Sequence, residues 1–181
     1  PNMIRDIDYG PCNKIYKKEL FKDIMFPINT KYEDFEAILK VFSKAKKITK
    51  LDDPVYDYYI NQNGETRTQT TKNMDMLKIA YNLDNYFDFL NKDIKLKDVY
   101  VEVISEKLLH SASTLFKITD LKTCLTYIND VYKYLSKYSN WHKLYKQNKI
   151  DSSYIKFIRG HKLLLKTYAF LRITLYKLIG R

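Results

Sequence analysis

The stretch LKTCLTYINDVYKYL, residues 121–135, carries an apolar side chain at every third or fourth position. An α-helix brings positions with this spacing onto one face, so the stretch predicts a helix that buries this face in a core. Core packing accounts for the whole stripe, which therefore indicates no cofactor site. The apolar positions are Leu121, Cys124, Leu125, Ile128, Val131 and Leu135.

Helical periodicity also covers most of the remaining chain after residue 70. The segment 98–116 contains VYVEVI, which could form a strand, but its length and its continuation through Leu108, Ala112 and Leu115 favour a helix. We therefore expect residues 71–181 to form a helical bundle. A second apolar stripe in this region consists of Leu77, Ala80, Leu83 or Asp84, Phe87 and Leu90.

The first 70 residues have a different pattern. Short β-like runs at 13–16 and 53–60 lie on either side of a predicted helix over 32–46, and Pro27 and Pro54 interrupt the chain. This pattern predicts a small α/β piece. The expected fold class is α+β but predominantly α, with residues 1–70 and 71–181 as its two parts.

Length and composition describe one ordinary domain. With 181 residues and 45% hydrophobic content, the chain has enough apolar residues for a real core. Cys12 and Cys124 lie far apart and outside any metal-binding spacing, which predicts buried free thiols in a reducing compartment. The three histidines have no metal-ligand spacing either, so we expect no metal ligands in this chain.

The positive charge is concentrated at the C-terminal end. Residues 1–60 and residues 61–140 each contain 11 Lys or Arg and 10 Asp or Glu, so their charges nearly cancel. Residues 141–181 contain 10 Lys or Arg and a single acidic residue, Asp151. A localised basic region of this kind is typical of contact with phosphate groups or anionic lipid.

The basic end has the sequence RGHKLLLKTYAFLRITLYKLIGR, residues 159–181, and its charges are too frequent for a transmembrane span. On a helix, the apolar residues would lie opposite a cationic face, as in a helix at a membrane surface. We then expect a cytoplasmic protein, peripheral on the inner face of the membrane. The alternative is a docked core helix whose cationic side chains extend over apolar surface. The cationic face consists of Arg159, Lys162, Lys166, Lys177 and Arg181.

Two adjacent carboxylates, Glu33 and Asp34, stand at the start of the predicted helix over 32–46. Thr30 and Glu33 match a capping box, in which each side chain binds a free backbone N–H of the first turn. That motif accounts for Glu33 without any function. Asp34 has two explanations: a solvated acidic first turn favoured by the helix dipole, or a functional carboxylate.

Five short segments in this half occur in the order and spacing of one known pattern. They resemble the C-terminal half of family 2 glycosyltransferases, which have the A-type nucleotide-sugar fold. The resemblance covers about residues 11–68. The segments are PCNKIYKKELF at 11–21, FP at 26–27, YED at 32–34, AKKI at 45–48 and DPVYDYY at 53–59.

The resemblance implies an inverting glycosyl transfer, as in the synthesis of surface polysaccharide or other glycoconjugates. It implies that Asp34 is the general base, with Glu33 beside it. Asn13, Lys14 and Tyr16 would line the site near the sugar and the acceptor, although Tyr16 could equally belong to a buried strand. The Arg that the family has after its Tyr-x-Tyr is missing, and Arg67 is a candidate replacement.

The resemblance also implies parts that this chain does not contain. The family binds its nucleotide through an N-terminal half and ligates Mg²⁺ or Mn²⁺ with Asp-x-Asp. Asp6 and Asp8 are spaced in that way, but they lie too close to Asn13, and we interpret them as a surface turn. We therefore expect a parent enzyme that binds a nucleotide-sugar donor and a glycan or lipid-linked acceptor. Its metal ligands would lie outside this chain. We expect the chain to be inactive alone.

Two hypotheses without glycosyl transfer are also compatible with the composition. A basic helical module with 17 tyrosines could bind nucleic acid through stacking and charge neutralisation, although no recognised RNA-binding or DNA-binding motif is present. The chain could also be a helical interaction module without catalysis.

Overall fold

The computed structural model describes residues 8–59, 61, 70–87, 94–147 and 158–179. Across these ranges the chain folds into six α-helices, three short 3-10 turns and no strand. The turns are Lys18–Phe21, Thr71–Met74 and Leu115–Lys117. The helices are α1, Glu33–Lys44; α2, Asp75–Tyr86; α3, Ile94–Thr114; α4, Leu121–Leu135; α5, Trp141–Gln147; and α6, Lys162–Ile179.

Helix α3 is the centre of the arrangement. It packs against α2, α4 and α5 and against the 3-10 turns at 71–74 and 115–117. A helix that is apolar on most sides is stable only where neighbours cover it, and α3 is buried over most of its length. Helix α6 packs on α4, and α1 packs on α2. The buried apolar side chains of α3 are Val99, Tyr100, Val101, Val103, Ile104, Leu108, Leu109 and Ala112.

The main hydrophobic core runs from α1 to α6. Phe35 and Leu39 of α1 belong to this core, so α1 packs with the helices beyond residue 70. A second, smaller cluster joins Ile24 to Ala37 and Val41 on α1, and Phe21 packs against it. Helix α1 therefore holds the N-terminal loops to the rest of the fold.

The predicted α+β fold class is wrong, because neither predicted β-run forms a strand in the described part of the chain. A strand requires a hydrogen-bonded neighbour and is favoured by packing on a half-buried surface. Residues 53–59 have no regular secondary structure and are exposed at every side chain, and residue 60 lies outside the described residues. Residues 13–16 are held by side-chain contacts instead. The predicted helix over 32–46 is present as Glu33–Lys44.

The predicted capping box at Thr30 is also wrong. Helix α1 begins at Glu33, and the capping position is Tyr32, which makes no side-chain cap. The hydroxyl of Thr30 donates to the carbonyl oxygen of Ile28 at 3.1 Å instead.

Helix α4 does have a cap: Asp120 accepts the Thr123 N–H at 3.0 Å, and hydrogen bonds from Thr123 lower the pKa of Asp120.

One carboxylate ties three helices together in the core. Oδ1 of Asp84 on α2 accepts hydrogen bonds from the hydroxyls of Tyr100 at 2.7 Å, Tyr134 at 2.6 Å and Tyr138 at 2.8 Å. Nζ of Lys137 lies 3.6 Å from Oδ2 of Asp84 and 4.6 Å from the centroid of the Tyr134 ring. Hydrogen bonds to a charged group are stronger than neutral ones, so this cluster fixes α2, α3 and the end of α4 relative to one another.

Replacing Tyr134 by Phe should lower the free energy of unfolding by about 1.5–3 kcal/mol, because the change removes a hydrogen bond to the Asp84 carboxylate. Tyr81→Phe is the matched control, since the Tyr81 ring packs edge-on against Tyr134 and its side chain is exposed. That change should cost less than about 0.5 kcal/mol. Urea unfolding measures both variants, and equal losses would contradict the role of the cluster.

Stability should fall as pH rises above about 10, the pKa of an unfolded tyrosine. Burial, followed by the charge of Asp84, raises the pKa of Tyr100, and burial also raises that of Tyr134. Burial likewise raises the pKa of Tyr16 and Tyr32 to about 12. The folded state then keeps protons that the unfolded state releases. The contribution of these tyrosines to the free energy of unfolding is therefore fully present below pH 10 and is lost towards pH 12.

Burial lowers the pKa of Lys107, so this residue makes the free energy of unfolding rise with pH. It is a single group, whereas several tyrosines have the opposite effect. Urea unfolding from about pH 8 to about pH 12 measures the slope. A free energy of unfolding that stays constant or increases over this range would contradict the prediction.

Candidate functional site

The start of α1 has an unusual backbone that presents Asp34. Tyr32 adopts a left-handed conformation with φ of 67°, which is uncommon for a bulky residue and which often marks functional sites. The loop before it is fixed, because the N–H of Lys31 donates to Oδ2 of Asp75 at 2.9 Å. Asp34 is half-buried, and its Oδ1 accepts the N–H of Phe35 at 2.7 Å. The helix N-terminus favours a negative charge at this position.

Lys107 on α3 is a cation near this carboxylate. Its Nζ lies 5.4 Å from the ring centroid of Tyr9 and 5.7 Å from that of Phe35. Burial lowers the pKa of Lys107, and the charges of Asp34, Glu106 and Asp8 oppose that effect. An ammonium group in this position attracts Asp34 and Asp8 towards the same point.

Asp8 organises the loop that contains two of the predicted substrate-binding residues. Its Oδ1 accepts the N–H of Gly10 at 3.0 Å, and its Oδ2 accepts a hydrogen bond from Nδ2 of Asn13 at 3.1 Å. Nζ of Lys14 lies 3.9 Å from the same carboxylate and donates to the carbonyl oxygen of Gly10 at 2.8 Å. Asn13 and Lys14 are thereby positioned next to Asp8, which itself acts on Lys107.

Tyr16 and Cys12 complete this loop. The ring of Tyr16 packs edge-on against Phe21 at 5.3 Å, and its hydroxyl is buried without a hydrogen-bond partner among the described residues. Cys12 is exposed, so the prediction of two buried thiols is wrong for it; Cys124 is buried. A hydrogen bond to Cys12 is the main cause of the raised pKa of Tyr56, which places the segment 53–59 beside this loop.

The structure brings most of the predicted N-terminal site residues together. Asn13, Lys14 and Asp34 are linked through Asp8 and Lys107, and Glu33 stands next to Asp34 as the first residue of α1. Arg67 lies outside the described residues. Sequence analysis missed Lys107 and Asp75. Lys107 could have been noticed, because Glu106 and Lys107 are adjacent charged residues within an apolar helix.

The predicted membrane-surface residues divide into two groups. Lys162 and Lys177 are exposed on α6 and Lys166 is half-buried, whereas Arg181 lies outside the described residues. Arg159 departs from the expected surface position, because only 7% of it is exposed.

The guanidinium of Arg159 binds side chains of α3 instead. Its Nε donates to Oγ of Ser113 at 3.0 Å, and an Nη lies 3.7 Å from Oε1 of Glu106. The backbone turns at Gly160 and His161, and α6 begins only at Lys162, so Arg159 does not share the face of the later cations.

The residues near Asp8 do not fit the divalent metal that the resemblance implies. Mg²⁺ and Mn²⁺ require several convergent oxygen ligands. Over the described ranges, no three His, Cys, Asp or Glu side chains lie close enough to hold a metal ion. The Asp8 carboxylate is already occupied by Gly10 and Asn13. We therefore assign no metal to this site.

Helices α2 and α4 border an open groove of about 820 Å³. Its lining is mixed, with Lys78, Asn82, Lys122 and Asp130 beside Tyr127. Met74 also lines the groove, and its neighbour Asp75 accepts the N–H of Lys31 just before α1. The groove therefore opens close to the start of α1 and offers hydrogen-bonding groups to a polar molecule.

Comparisons with protein-family models, curated proteins and solved structures find no match to this chain. The glycosyltransferase resemblance therefore depends on the residues quoted above. None of the helices in the described part of the chain has both the length and the apolar content that a bilayer crossing requires.

Replacing Arg159 by Met should lower the free energy of unfolding by about 3 kcal/mol, because it leaves Glu106 without its buried partner. Lys162→Met, on an exposed cation of the same predicted face, should cost less than about 0.5 kcal/mol. Thermal and urea unfolding of the two variants compare them directly. Similar, small losses would mean that Arg159 is a surface residue after all.

Proposed function

We propose that this chain supplies the acceptor-side part of an inverting, nucleotide-sugar-dependent glycosyltransferase that acts in polysaccharide or glycoconjugate synthesis. One observation carries the proposal. Three segments of the sequence pattern meet near one place: Asp8 contacts Asn13 and Lys14, Tyr56 lies near Cys12, and Lys107 lies over the rings of Tyr9 and Phe35, the neighbours of Asp8 and Asp34.

The support comes from this site and not from the fold class. Family 2 enzymes would have strands at 13–16 and 53–60, and the described residues contain none. The site is nevertheless assembled from the segments that the resemblance selected. Side-chain contacts hold those segments in place without a sheet.

Asp34 has the properties that a general base requires. An acceptor hydroxyl is a weak nucleophile at neutral pH, so a carboxylate within hydrogen-bonding reach must take its proton as the new bond forms. Asp34 is half-buried, its Oδ1 is fixed by the N–H of Phe35, and Oδ2 remains for the acceptor. Lys107 lies beside this carboxylate, with its Nζ 5.7 Å from the ring centroid of the adjacent Phe35.

The proposed reaction is a single displacement. The acceptor oxygen attacks the anomeric carbon of the donor sugar while its proton passes to Asp34. The bond from that carbon to the nucleoside diphosphate breaks, and its electron pair leaves with the diphosphate oxygen. Attack from the face opposite the leaving group inverts the anomeric centre.

Exposed apolar side chains in the N-terminal region also support the proposal. Ile15 is 95% exposed and Ile28 is 85% exposed, and Met25, Val55 and Tyr59 are exposed as well. Single exposed apolar residues are normal, but a concentration of them is typical of a surface that another module covers. In the proposed enzyme the nucleotide-binding half covers this surface.

The nucleic-acid hypothesis receives less support. Tyrosines that stack on bases must present their rings to solvent. Six tyrosines in the described part of the chain are instead buried in the helical core, and three of them donate hydrogen bonds to the Asp84 carboxylate. The six are Tyr100, Tyr127, Tyr132, Tyr134, Tyr138 and Tyr145.

Asp34→Asn should reduce glycosyl transfer by the protein that carries this chain by about two to four orders of magnitude, the usual contribution of a positioned general base. Donor binding and the thermal unfolding midpoint should stay close to those of the unchanged protein. The measurement is release of nucleoside diphosphate from a panel of UDP-sugars and GDP-sugars with Mg²⁺ or Mn²⁺ and a glycan acceptor mixture.

Glu33→Gln is the matched control, because it removes the adjacent charge of the same first turn. It should reduce transfer by less than about tenfold, since its main effect is on the helix dipole. The proposal fails if no donor gives turnover with the unchanged protein, if the two variants lose activity equally, or if Asp34→Asn unfolds the chain.

A further inference from the structure

Helix α6 leaves a broad apolar face uncovered. Its buried side is narrow and consists of Leu165, Ala169 and Ile173, which follow one another at every fourth position and pack into the main core. The opposite side carries Leu163, Phe170, Leu171 and Leu178, with exposures from 52% to 80%. Leu164 and Leu175 extend it towards the core. We call this set the α6 apolar face: Leu163, Leu164, Phe170, Leu171, Leu175 and Leu178.

Cations border this face on both sides. Lys166 and Lys177 lie between Ile173 and Phe170 on the helical wheel, whereas Lys162 lies on the core side, 6.0 Å from the centroid of the Tyr132 ring. On the other border, Arg172 lies over the rings of Tyr168 and Tyr176, at 5.9 Å and 5.1 Å from their centroids. Arginine and tyrosine at the edge of an apolar surface are typical of a membrane interface.

The charged side chains of α6 are all positive, because no acidic residue occurs after Asp151. A second copy of the chain would bring two positive borders together, which disfavours self-association. An anionic bilayer complements this surface, because it offers phosphate groups to the cations and acyl chains to the leucines.

We propose that α6 lies in the surface of an anionic membrane, with its apolar face inserted among the lipid headgroups and acyl chains. Lys166 and Lys177 contact lipid phosphates along one border. Arg159 is not part of this surface; it fixes the segment before α6 to α3 through Glu106 and Ser113. This inference goes beyond the proposed glycosyl transfer and does not depend on it.

The test is co-sedimentation of the chain with vesicles made of equal parts of phosphatidylglycerol and phosphatidylcholine, beside vesicles of phosphatidylcholine alone. Binding should be at least about tenfold stronger to the anionic vesicles, because each lysine near the surface contributes to the attraction. Added salt should weaken it, since exposed charges are screened over about 8 Å at physiological ionic strength.

Two pairs of variants separate the α6 surface from general properties of the chain. The charge variant combines Lys166→Glu and Lys177→Glu and should lose at least about tenfold in binding to anionic vesicles. Its control makes the same change in net charge at two exposed lysines of the N-terminal region. That control combines Lys46→Glu and Lys50→Glu and should lose less than about threefold, because these lysines do not belong to α6.

The apolar variant combines Leu171→Ser and Leu178→Ser, and its control combines Ile15→Ser and Ile28→Ser, which are also exposed. Only the first should weaken binding, because it removes inserted side chains. Circular dichroism checks that each variant keeps its helices. Equal binding to neutral and anionic vesicles, no binding to either, or equal losses in a variant and its control would overturn the proposal. So would dimers in analytical ultracentrifugation that Leu171→Ser and Leu178→Ser abolish, because a second copy would then cover the face.

Discussion

The fold depends on one part-buried carboxylate. Asp84 interrupts the apolar stripe of α2, and without partners it would carry a large desolvation penalty. Three tyrosine hydroxyls from α3 and from the end of α4 donate to one of its oxygens, and Lys137 lies near the other. The stabilisation is directional, so it fixes the relative positions of α2, α3 and α4 in a way that apolar packing alone does not.

Helix α3 connects the candidate site to the proposed membrane surface. Its adjacent residues Glu106 and Lys107 contact different parts of the chain: Lys107 lies over the ring of Phe35, next to Asp34, and Glu106 pairs with Arg159 just before α6. Both contacts start from the most buried helix of the structure. The position of Asp34 and that of the start of α6 are therefore set by the same rigid element, which is what an enzyme acting on a lipid-linked acceptor would require.

Sequence periodicity predicted the helices well, because each of them buries one side in a common core. The stripe at 121–135 became α4, and the segment 98–116 became α3 despite its strand-like residues. The contacts of the site were harder to predict. The link between Lys107 and Asp34 joins positions more than 70 residues apart, and it depends on how α1 and α3 pack. Likewise, the helical wheel could not show that the backbone turns at Gly160 and separates Arg159 from the cations of α6.

The absent strands have a different physical explanation. The propensity of a segment such as DPVYDYY measures how well its side chains fit a pleated, half-buried surface, and it does not supply the neighbour that a strand requires. In this structure the segment has no regular secondary structure and is exposed, and Tyr56 lies near Cys12. The α6 apolar face is a similar case. The narrow buried side of α6 fixes the position of the helix, but the sequence does not show what covers its exposed side chains.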